Sequence, residues 1–474
     1  MAVDFSVRRS RGSIAGQARH YPLSSFPWLL SWRLGHKIIV EQIRPCYTTS
    51  SPSPLMKRIL ITGSSGYIGQ HLIASLLSSS SNDDDDVSYE LYCAYNTLAT
   101  FESDIEHLIL DAATTTTTKQ QCEESTKEQQ QQEQRRPMAR IACVIPGIDF
   151  SLPNWDKKIY HAITEERKNC NTASCNGNNS DEGGMVFDVI IHLAAISSPT
   201  KCQDDPKTTM RVNCPTQLLS MSSIIIYMST DQVYEGNQSY YIEEDDDDDN
   251  ILVNPINVYG QSKAKFETCL LDSKHHAGSI ILRCSLVLGP APPLIHGCSK
   301  GMDCPTFLQF VEGRLKSNTL TDYYIDEYRS VVHINDVVLT IRHFLNNACL
   351  TPPPPPPPPL TTTTTATTST VTKETTKKVT RVYNLGGSTR VSRCDIAIGV
   401  ANYLQLDTSS IKTVNRPIIG SGSTGGTTGG GGAVPSPADI SMNVSKLTNE
   451  LGVERMLGLD EIVALTYGER DAYM

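Results

Sequence analysis

Residues 59–69 read I-L-I-T-G-S-S-G-Y-I-G, an apolar run that leads directly into three spaced glycines. The apolar run predicts a short buried strand, and the apolar spacing within Tyr67–Leu77 predicts a helix after the turn. A strand, a glycine turn and a helix form the context that a dinucleotide fingerprint requires. Gly63 permits the tight turn, Gly66 lets the backbone approach a pyrophosphate, and Gly69 allows close packing of helix on strand. The segment therefore predicts a dinucleotide-binding turn.

The start of this helix and the end of the second strand indicate which cofactor is bound. Phosphates would sit at the helix N-terminus beside Ser65, Tyr67 and Ile68, where free N–H groups and the helix dipole favour anions. An acidic residue after the second strand would bind the ribose 2′-hydroxyl and favour NAD. The segment Tyr95-Asn96-Thr97 has no acid at this position, so nothing there repels a 2′-phosphate. The sequence therefore predicts a nicotinamide cofactor and favours NADP(H) over NAD(H).

Strand-like runs alternate with helical ones along the chain, which is typical of a doubly wound parallel sheet. Most of the runs are rich in Val, Ile and Leu, as expected for buried parallel strands. The fold class predicted is therefore α/β, a Rossmann-type doubly wound parallel sheet with a smaller C-terminal substrate-binding lobe and low-complexity loop insertions. The predicted strands are Arg58–Thr62, Glu90–Tyr95, Arg140–Ile145, Val186–Ala194, Ile224–Ser229 and Ser279–Leu286.

Low-complexity tracts divide the 474 residues into parts that can form a core and parts that cannot. Polar inserts are predicted at about 111–137 and 168–184. Residues 1–55 are a basic, acid-poor leader, either disordered or an organelle-targeting segment. A cytoplasmic protein and one directed to mitochondrion or plastid both remain open. The predicted domains are the leader 1–55, an NAD(P)-binding domain 56–290 and a mainly substrate-binding lobe 291–474, in which 351–380 and 419–435 are disordered and 381–406 returns to the Rossmann core.

Charge and composition exclude several classes of partner. The net charge of −10 argues against binding to nucleic acid as the main function. No stretch approaches the roughly 20 apolar residues that a membrane-spanning helix needs. The fourteen cysteines form no C-x-x-C pair and no Cys/His zinc spacing, so we expect reduced thiols and no metal site.

Tyr259 and Lys263 are separated by one helical turn, which places both side chains on one helix face. A neighbouring ammonium group lowers the pKa of a phenol, which makes the tyrosine a usable proton donor and acceptor near neutral pH. The pair follows the predicted fifth strand and the S-T-D turn at residues 229–231. This position indicates chemistry beside the bound cofactor.

The motifs together resemble those of the extended short-chain dehydrogenase/reductases. More narrowly, the chain resembles the dTDP-4-dehydrorhamnose reductase (RmlD-like) group, which also includes the regulatory β subunit of methionine adenosyltransferase. The resemblance covers about residues 56–345 and 381–465. It is carried in chain order by T-G-S-S-G-Y-I-G, H-L-A-A at 192–195, S-T-D-Q-V-Y at 229–234, N-V-Y-G-Q-S-K at 257–263 and L-R-C-S-L-V-L-G-P at 282–290.

The resemblance implies catalytic and substrate-binding roles for five residues. Tyr259 would be the catalytic acid and Lys263 its activator, and both would also contact the cofactor. Thr230 would hydrogen-bond the substrate oxygen. Asp231 and Arg329 would contact the substrate.

It also implies cofactor contacts for residues outside the glycine turn. Ala194 and Ala195 would line the cofactor, and Asp149 would approach the adenine. Asn213 matches the asparagine at the start of the helix before the fifth strand. Between Asn213 and Ile224 only ten residues remain for a helix that is roughly two turns longer in relatives, so the placing of Thr230 depends on a short crossover.

Two functions follow from the resemblance. The first is an NAD(P)H-dependent reductase of a nucleotide-activated keto-sugar, resembling dTDP-4-dehydrorhamnose reductase. The second is a non-catalytic NADP-binding regulatory subunit that docks on the catalytic subunit of methionine adenosyltransferase. Both need the glycine turn, whereas Thr230, Tyr259 and Lys263 favour the reductase.

Overall fold

The computed structural model describes residues 55–78, 87–96, 105, 139–169, 185–243, 253–273, 276, 278–293, 306–350, 380–416 and 434–471. The predicted leader, except its last residue, and the insert at 111–137 lie outside the described residues. So do Thr97 and most of 168–184, 351–380 and 419–435. For the targeting and disorder predictions on these segments, the structure gives no test.

Strands and helices alternate through the first half of the chain. The strands are β1 (Leu55–Thr62), β2 (Val87–Ala94), β3 (Ala139–Ile145), β4 (Val189–His192), β5 (Ile225–Thr230), β6 (Ile280–Cys284), β7 (Val287–Leu288), β8 (Thr321–Tyr324), β9 (Tyr328–Arg329), β10 (Val332–His333), β11 (Arg381–Leu385), β12 (Val391–Ser392) and β13 (Ile411–Val414). The helices are α1 (Tyr67–Leu77), α2 (Trp155–Asn169), α3 (Pro199–Asp204), α4 (Pro206–Asn213), α5 (Val258–Leu271), α6 (Phe307–Lys316), α7 (Ile334–Leu350), α8 (Arg393–Leu404), α9 (Ser445–Leu451) and α10 (Leu459–Asp471).

Seven strands form one sheet in the order β11-β6-β5-β4-β1-β2-β3, and all the pairings are parallel. The predicted Rossmann-type sheet is confirmed. After β3 the chain crosses from the sheet edge to β4, which lies beside β1, so the strand order reverses between these two strands. Ligands of open α/β sheets bind at such a switch point, outside the carboxyl ends of the strands. In register, Thr62 of β1 stands beside His192 of β4.

Helices cover both faces of the sheet. One face packs against α1 and α7 in a cluster that includes Leu72, Ile73 and Ile341, all fully buried. The other face packs against α2 and α5, with Ile159 and Phe266 fully buried. Burying both faces explains why the strands read as continuous apolar runs.

A separate hydrophobic cluster forms the C-terminal lobe, in which α6, α8 and α10 pack together. Residues 381–406 divide between the two parts. Strand β11 adds to the edge of the main sheet beside β6, whereas α8 packs on α6 and α10 in the lobe. The prediction that this whole segment returns to the Rossmann core is therefore wrong for its helix, because the apolar face of α8 is buried against the lobe.

Strand β4 is shorter than predicted. Val186 and Phe187 direct their N–H groups to the carbonyl of Met221, and Leu193 bonds to the carbonyl of Thr62 as the chain leaves the sheet. The apolar run therefore extends beyond the ladder at both ends. Two short helices, α9 and α10, follow near the C-terminus of the described residues.

Candidate active site

The turn between β1 and α1 depends on two glycines. Gly63 has a φ of +69°, and a Cβ atom there would lie 2.7 Å from the backbone nitrogen of Ala194. A Cβ on Gly69 would lie 2.6 Å from the carbonyl oxygen of Gly63. Real Cβ atoms essentially never come this close, so a side chain at either position would force the turn, the helix or the strand to move. The structural roles expected for both glycines are therefore present in this turn.

The N-terminus of α1 is open to an anion. Gly66 is its N-cap residue in extended conformation, and no side chain caps the exposed N–H groups. The Gln70 side-chain amide donates to the carbonyl of Ser65 (2.7 Å), and the Tyr67 hydroxyl donates to the carbonyl of Pro290 (2.9 Å). Ile68 packs against the core of the same sheet face. A dinucleotide fits this arrangement because the turn is held from both sides and no side chain caps the start of the helix.

The predicted adenine and ribose contacts lie at the ends of β2, β3 and β4. Tyr95 is buried and Asn96 is exposed directly after β2. After β3, Asp149 accepts a hydrogen bond from the backbone N–H of Ser151 (2.8 Å). Ala194 and Ala195 follow β4 and are half-buried. All of these positions border the carboxyl edge of the sheet, as the glycine turn does.

Two elements, β5 and α5, bring the predicted catalytic groups together. Thr230 is the last residue of β5, whereas Tyr259 and Lys263 lie one turn apart on α5. The side chains of Tyr259 and Thr230 interact, and the Thr230 hydroxyl also donates to the Asp231 carboxylate (3.2 Å). The Lys263 side chain is 2% exposed, and its ammonium nitrogen lies 4.4 Å from the centre of the Tyr227 ring.

The electrostatics of this group differ from the sequence prediction. Burial raises the pKa of Tyr259 above that of an ordinary phenol, and the hydrogen bond with Thr230 offsets only part of the increase. Burial lowers the pKa of Lys263 to about 7. The prediction that a neighbouring ammonium group lowers the pKa of Tyr259 is therefore wrong for this structure, because desolvation by burial has the largest effect and raises that pKa.

The start of α5 is fixed by residues to which the sequence reasoning gave no role. Asn257 caps the helix, accepting from the N–H of Gly260 (2.9 Å) and donating to the Gln232 side chain (2.9 Å). A Cβ on Gly260 would lie only 2.1 Å from the carbonyl oxygen of Gln232. The motif N-V-Y-G, with Asn257 two residues before Tyr259 and Gly260 directly after it, was the signal that could have identified this contact.

Asn213 is fully buried and serves as a link between elements. Its carbonyl oxygen accepts from the N–H of Ile196 (2.8 Å), and its amide donates to Ile196 (3.1 Å) and to the Ser262 hydroxyl (2.9 Å). Ser262 in turn donates to the carbonyl of Tyr259 (2.7 Å). Asn213 therefore joins the segment after β4 to the helix that carries Tyr259 and Lys263.

The short crossover before β5 is accommodated. Residues Thr216–Ser220 form a single 3₁₀ helix in place of a longer α-helix, yet Leu218 and Met221 are fully buried. Cavities of about 570 and 890 Å³ adjoin this helix, and both are lined by Thr216 and Gln217. Thr230, Tyr259 and Lys263 line neither cavity.

Asp231 and Arg329, expected to contact substrate, contact each other. The guanidinium of Arg329 donates to Asp231 (3.1 Å) and to Glu327 (3.1 Å), and Asp231 also accepts from the Ser285 hydroxyl (2.9 Å). Both side chains are less than 10% exposed. Burial alone would lower the pKa of Arg329, but the two carboxylates raise it above its usual value. The pair joins the end of β5 to the lobe.

Burial also shifts the pKa of two further residues, His192 and Asp336. His192 is fully buried, and its Nδ1 lies 2.6 Å from the Thr62 hydroxyl, while burial lowers its pKa well below the usual value. Asp336 lies in the first turn of α7, which begins two residues earlier at Ile334. Its Oδ2 atom is buried without a hydrogen-bond partner, and burial raises its pKa to about 6.

Within the described ranges, no group of three or more His, Cys, Asp and Glu side chains could hold a metal ion. The helices in that part of the chain include none that is long and apolar enough to cross a membrane. The cysteines described there are all free thiols.

Comparisons with known proteins agree with this architecture. Residues 156–295 match the family model of the RmlD substrate binding domain. A comparison with curated proteins found no match. Among solved structures, UDP-glucuronic acid 4-epimerase from Bacillus cereus, in complex with UDP-glucuronic acid and NAD, is 16% identical, with a TM-score of 0.51 over 88% of this chain and 100% of that chain. This similarity supports the α/β fold.

Two other solved structures are similar at lower TM-scores. A hypothetical dTDP-4-dehydrorhamnose reductase from Sulfolobus tokodaii is 19% identical, with a TM-score of 0.48 over 85% of this chain and 98% of that chain. The dTDP-4-dehydrorhamnose reductase of Bacillus anthracis, in complex with NADP, is 15% identical, with a TM-score of 0.49 over 88% of this chain and 100% of that chain.

Proposed function

Because the chain is an RmlD-like member of the extended short-chain dehydrogenase/reductases, we propose that it reduces a ketone on a nucleotide-activated sugar with NAD(P)H. The observation that carries this proposal is the contact between Tyr259 and Thr230 at the carboxyl end of β5, with Lys263 buried one turn along α5. A binding module would need only the glycine turn, whereas this group supplies a proton donor and the polar side chains that support it.

The residues present fit a dinucleotide. The glycine turn and the open N-terminus of α1 would hold the pyrophosphate, and Ala194 and Ala195 would border the rest of the molecule. When bound, this cofactor supplies the hydride. The absence of an acid at Tyr95 and Asn96 favours NADP(H) over NAD(H), because no described side chain there would repel a 2′-phosphate.

The chain's own residues would handle the proton. The Tyr259 hydroxyl, protonated at neutral pH as a phenol normally is, would donate its proton to the substrate oxygen. Thr230 would hold that oxygen by a hydrogen bond, and the Lys263 ammonium would stabilise the phenolate that remains. Fixing the substrate between these groups lowers the entropic part of the barrier.

A direct test is turnover of dTDP-4-dehydrorhamnose by the purified full chain with NADPH. Tyr259→Phe removes the proton donor and should lower kcat roughly 10²- to 10⁴-fold, while the dissociation constant for NADPH stays within a few-fold. Tyr403→Phe is the matched control, because this phenol lies at the surface of α8 in the lobe and should keep full activity. Equal turnover by wild type and Tyr259→Phe would refute the reductase proposal.

One observation favours a second candidate function, the non-catalytic regulatory subunit of methionine adenosyltransferase. Asp231 and Arg329 neutralise each other in a buried pair, so neither offers an unpaired charge to a substrate. This proposal is tested by mixing the chain with the catalytic subunit and measuring co-elution on size-exclusion chromatography. Co-elution together with an absence of turnover would replace the first proposal by the second.

A further inference from the structure

The ammonium group of Lys263 is buried without a polar partner. Lys263 is 2% exposed, and among the described residues its Nζ atom takes part in no ion pair and no hydrogen bond. Glu267, one turn further along α5, pairs with Arg283 instead (2.9 Å). A buried charge is costly unless it is paired, so the Lys263 ammonium requires another stabilising contact.

That contact is the aromatic ring of Tyr227, a residue of β5. Lys263 Nζ lies over this ring, 4.4 Å from its centre, which is within the range of a cation–π interaction. The Tyr227 hydroxyl also donates to the backbone carbonyl of Lys263 (3.3 Å). The ring and the hydroxyl of Tyr227 therefore contact the same lysine.

The Tyr227 ring is itself held in one orientation by its neighbours. It is fully buried, and it stacks on the His192 ring of β4 with the ring centres 5.6 Å apart. The Phe266 ring of α5 meets it edge to face, with the centres 4.8 Å apart. Both are preferred geometries of ring pairs. These contacts fix the plane of the Tyr227 ring, and with it the position of the ammonium over its face.

The other titratable groups near Lys263 include no carboxylate that is free to pair with it. Burial raises the pKa of the two thiols in this set and lowers the pKa of the imidazole, so all three are neutral at neutral pH. The carboxylate in the set is the partner of Arg283. The titratable side chains that face Lys263 are Tyr259 and Glu267 from α5, Tyr227 from β5, His192 from β4, Cys202 from α3 and Cys284 from β6.

We propose that Tyr227 is a positioning residue of the active site: the face of its ring holds the Lys263 ammonium, in its charged form, one helical turn from Tyr259. This role rests on the proposed reductase function, in which the charged lysine stabilises the phenolate that proton transfer leaves. A ring suits this position better than a carboxylate, because a second negative charge would disfavour the phenolate. Tyr227 touches neither the substrate nor the reacting atoms in this scheme and acts through Lys263.

Fluorination of the ring tests the interaction while the shape of the side chain is kept. Tyr227→Phe and its mono-, di- and trifluorinated analogues, introduced into the full chain by amber suppression, carry progressively less negative charge on the ring face. The charge of Lys263 is followed through the NMR signal of its ε-methylene carbon in lysine-labelled protein, assigned by its loss in Lys263→Arg. The titration midpoint should fall along the series by about one pH unit, because a weaker cation–π interaction stabilises the charged form less.

Turnover of dTDP-4-dehydrorhamnose with NADPH gives the second readout. At about pH 7.5, kcat should fall in the same order, by roughly five- to tenfold from Tyr227→Phe to the trifluorinated ring, because less of Lys263 is charged. The same series at Tyr383 is the matched control, because Lys446 lies over that ring, 5.4 Å from its centre, on the edge strand β11. Neither the Lys263 midpoint nor kcat should change in the control series.

A constant Lys263 midpoint along the Tyr227 series would overturn the proposal, because a purely structural role of the ring depends on its shape and not on its charge distribution. A midpoint that falls while kcat stays constant would overturn it as well, since Lys263 would then not need its charge. The NMR titration requires no substrate. Absence of turnover in wild type would therefore refute the reductase function separately, while the midpoint still decides whether Tyr227 holds the charged ammonium.

Discussion

Gly69→Ala should weaken cofactor binding without unfolding the protein. Gly69 lies in the first turn of α1, and an added Cβ would be 2.6 Å from the carbonyl oxygen of Gly63 and 2.7 Å from that of Ser64. Both oxygens belong to the backbone of the glycine turn, so a flexible side chain cannot relieve the contact. The helix N-terminus must therefore move away from the turn, and the two halves of the anion site separate.

The size of the effect follows from the cost of overpacking. Inserting a methyl group into a closely packed site costs about 1–3 kcal/mol. If this cost falls on the geometry that binds the pyrophosphate, the dissociation constant for NADPH rises roughly 5- to 150-fold. The first strand and the far end of α1 keep their packing, so most of the free energy of unfolding should be retained.

Fluorescence titration with NADPH and thermal unfolding measure the two quantities separately. Gly313→Ala is the control, because Gly313 lies within α6 and its Cβ would have no heavy atom within 4 Å. Alanine favours helix over glycine by up to about 1 kcal/mol, so the control should gain stability and bind NADPH as wild type does. A folded Gly69→Ala protein with the wild-type dissociation constant would refute the assignment of this turn to the cofactor.

Two further predictions concern stability and cofactor choice. Burial raises the pKa of Asp336 to about 6, so its contribution to the free energy of unfolding is fully present at about pH 4 and decreases by about 3 kcal/mol as the pH rises through 6. Asp336→Asn should therefore raise the Tm more at pH 7.5, where Asp336 is charged, than at pH 4, where it is protonated. Equal changes in Tm at both pH values would contradict a raised pKa for Asp336. Asn96→Asp places a carboxylate where the ribose 2′-position is expected, so the ratio of NADPH to NADH affinity should fall roughly tenfold. The surface substitution Asn449→Asp is the control and should leave the affinity ratio unchanged. An unchanged ratio in Asn96→Asp as well would show that the loop after β2 does not face the ribose.

The central elements could be predicted because local patterns and tertiary packing agree. Helix α1 occurs at the predicted Tyr67–Leu77, where a glycine marks the start and the apolar spacing matches the buried face. Strand β4 was predicted at Val186–Ala194 and is Val189–His192. The residues beyond each end are as apolar as the strand itself. Composition therefore could not show that Val186 and Phe187 bond to Met221 outside the ladder, or that the pairing with β1 ends at the carbonyl of Thr62.

The candidate site was less predictable wherever partners are distant in sequence. Arg329 and Asp231 are paired across 98 positions, and no local pattern indicates that two polar residues neutralise each other. Asn213 contacts Ser262 across 49 positions and therefore links elements, a role that its motif alone did not reveal. The pKa of Tyr259 depends on burial in the folded protein, so the spacing of Tyr259 and Lys263 predicted their proximity but not the sign of the shift.

The raised pKa of Tyr259 affects whether the site favours reduction or oxidation in the proposed reaction. A tyrosine whose pKa is raised by burial holds its proton at neutral pH, which is the state needed to protonate a ketone oxygen. Oxidation of an alcohol would instead begin from the phenolate, and the phenolate is costly unless Lys263 is charged. Since the pKa of Lys263 is about 7, its charge decreases just above neutral pH. Because reduction leaves the same phenolate from which oxidation would start, both directions depend on the charge of Lys263.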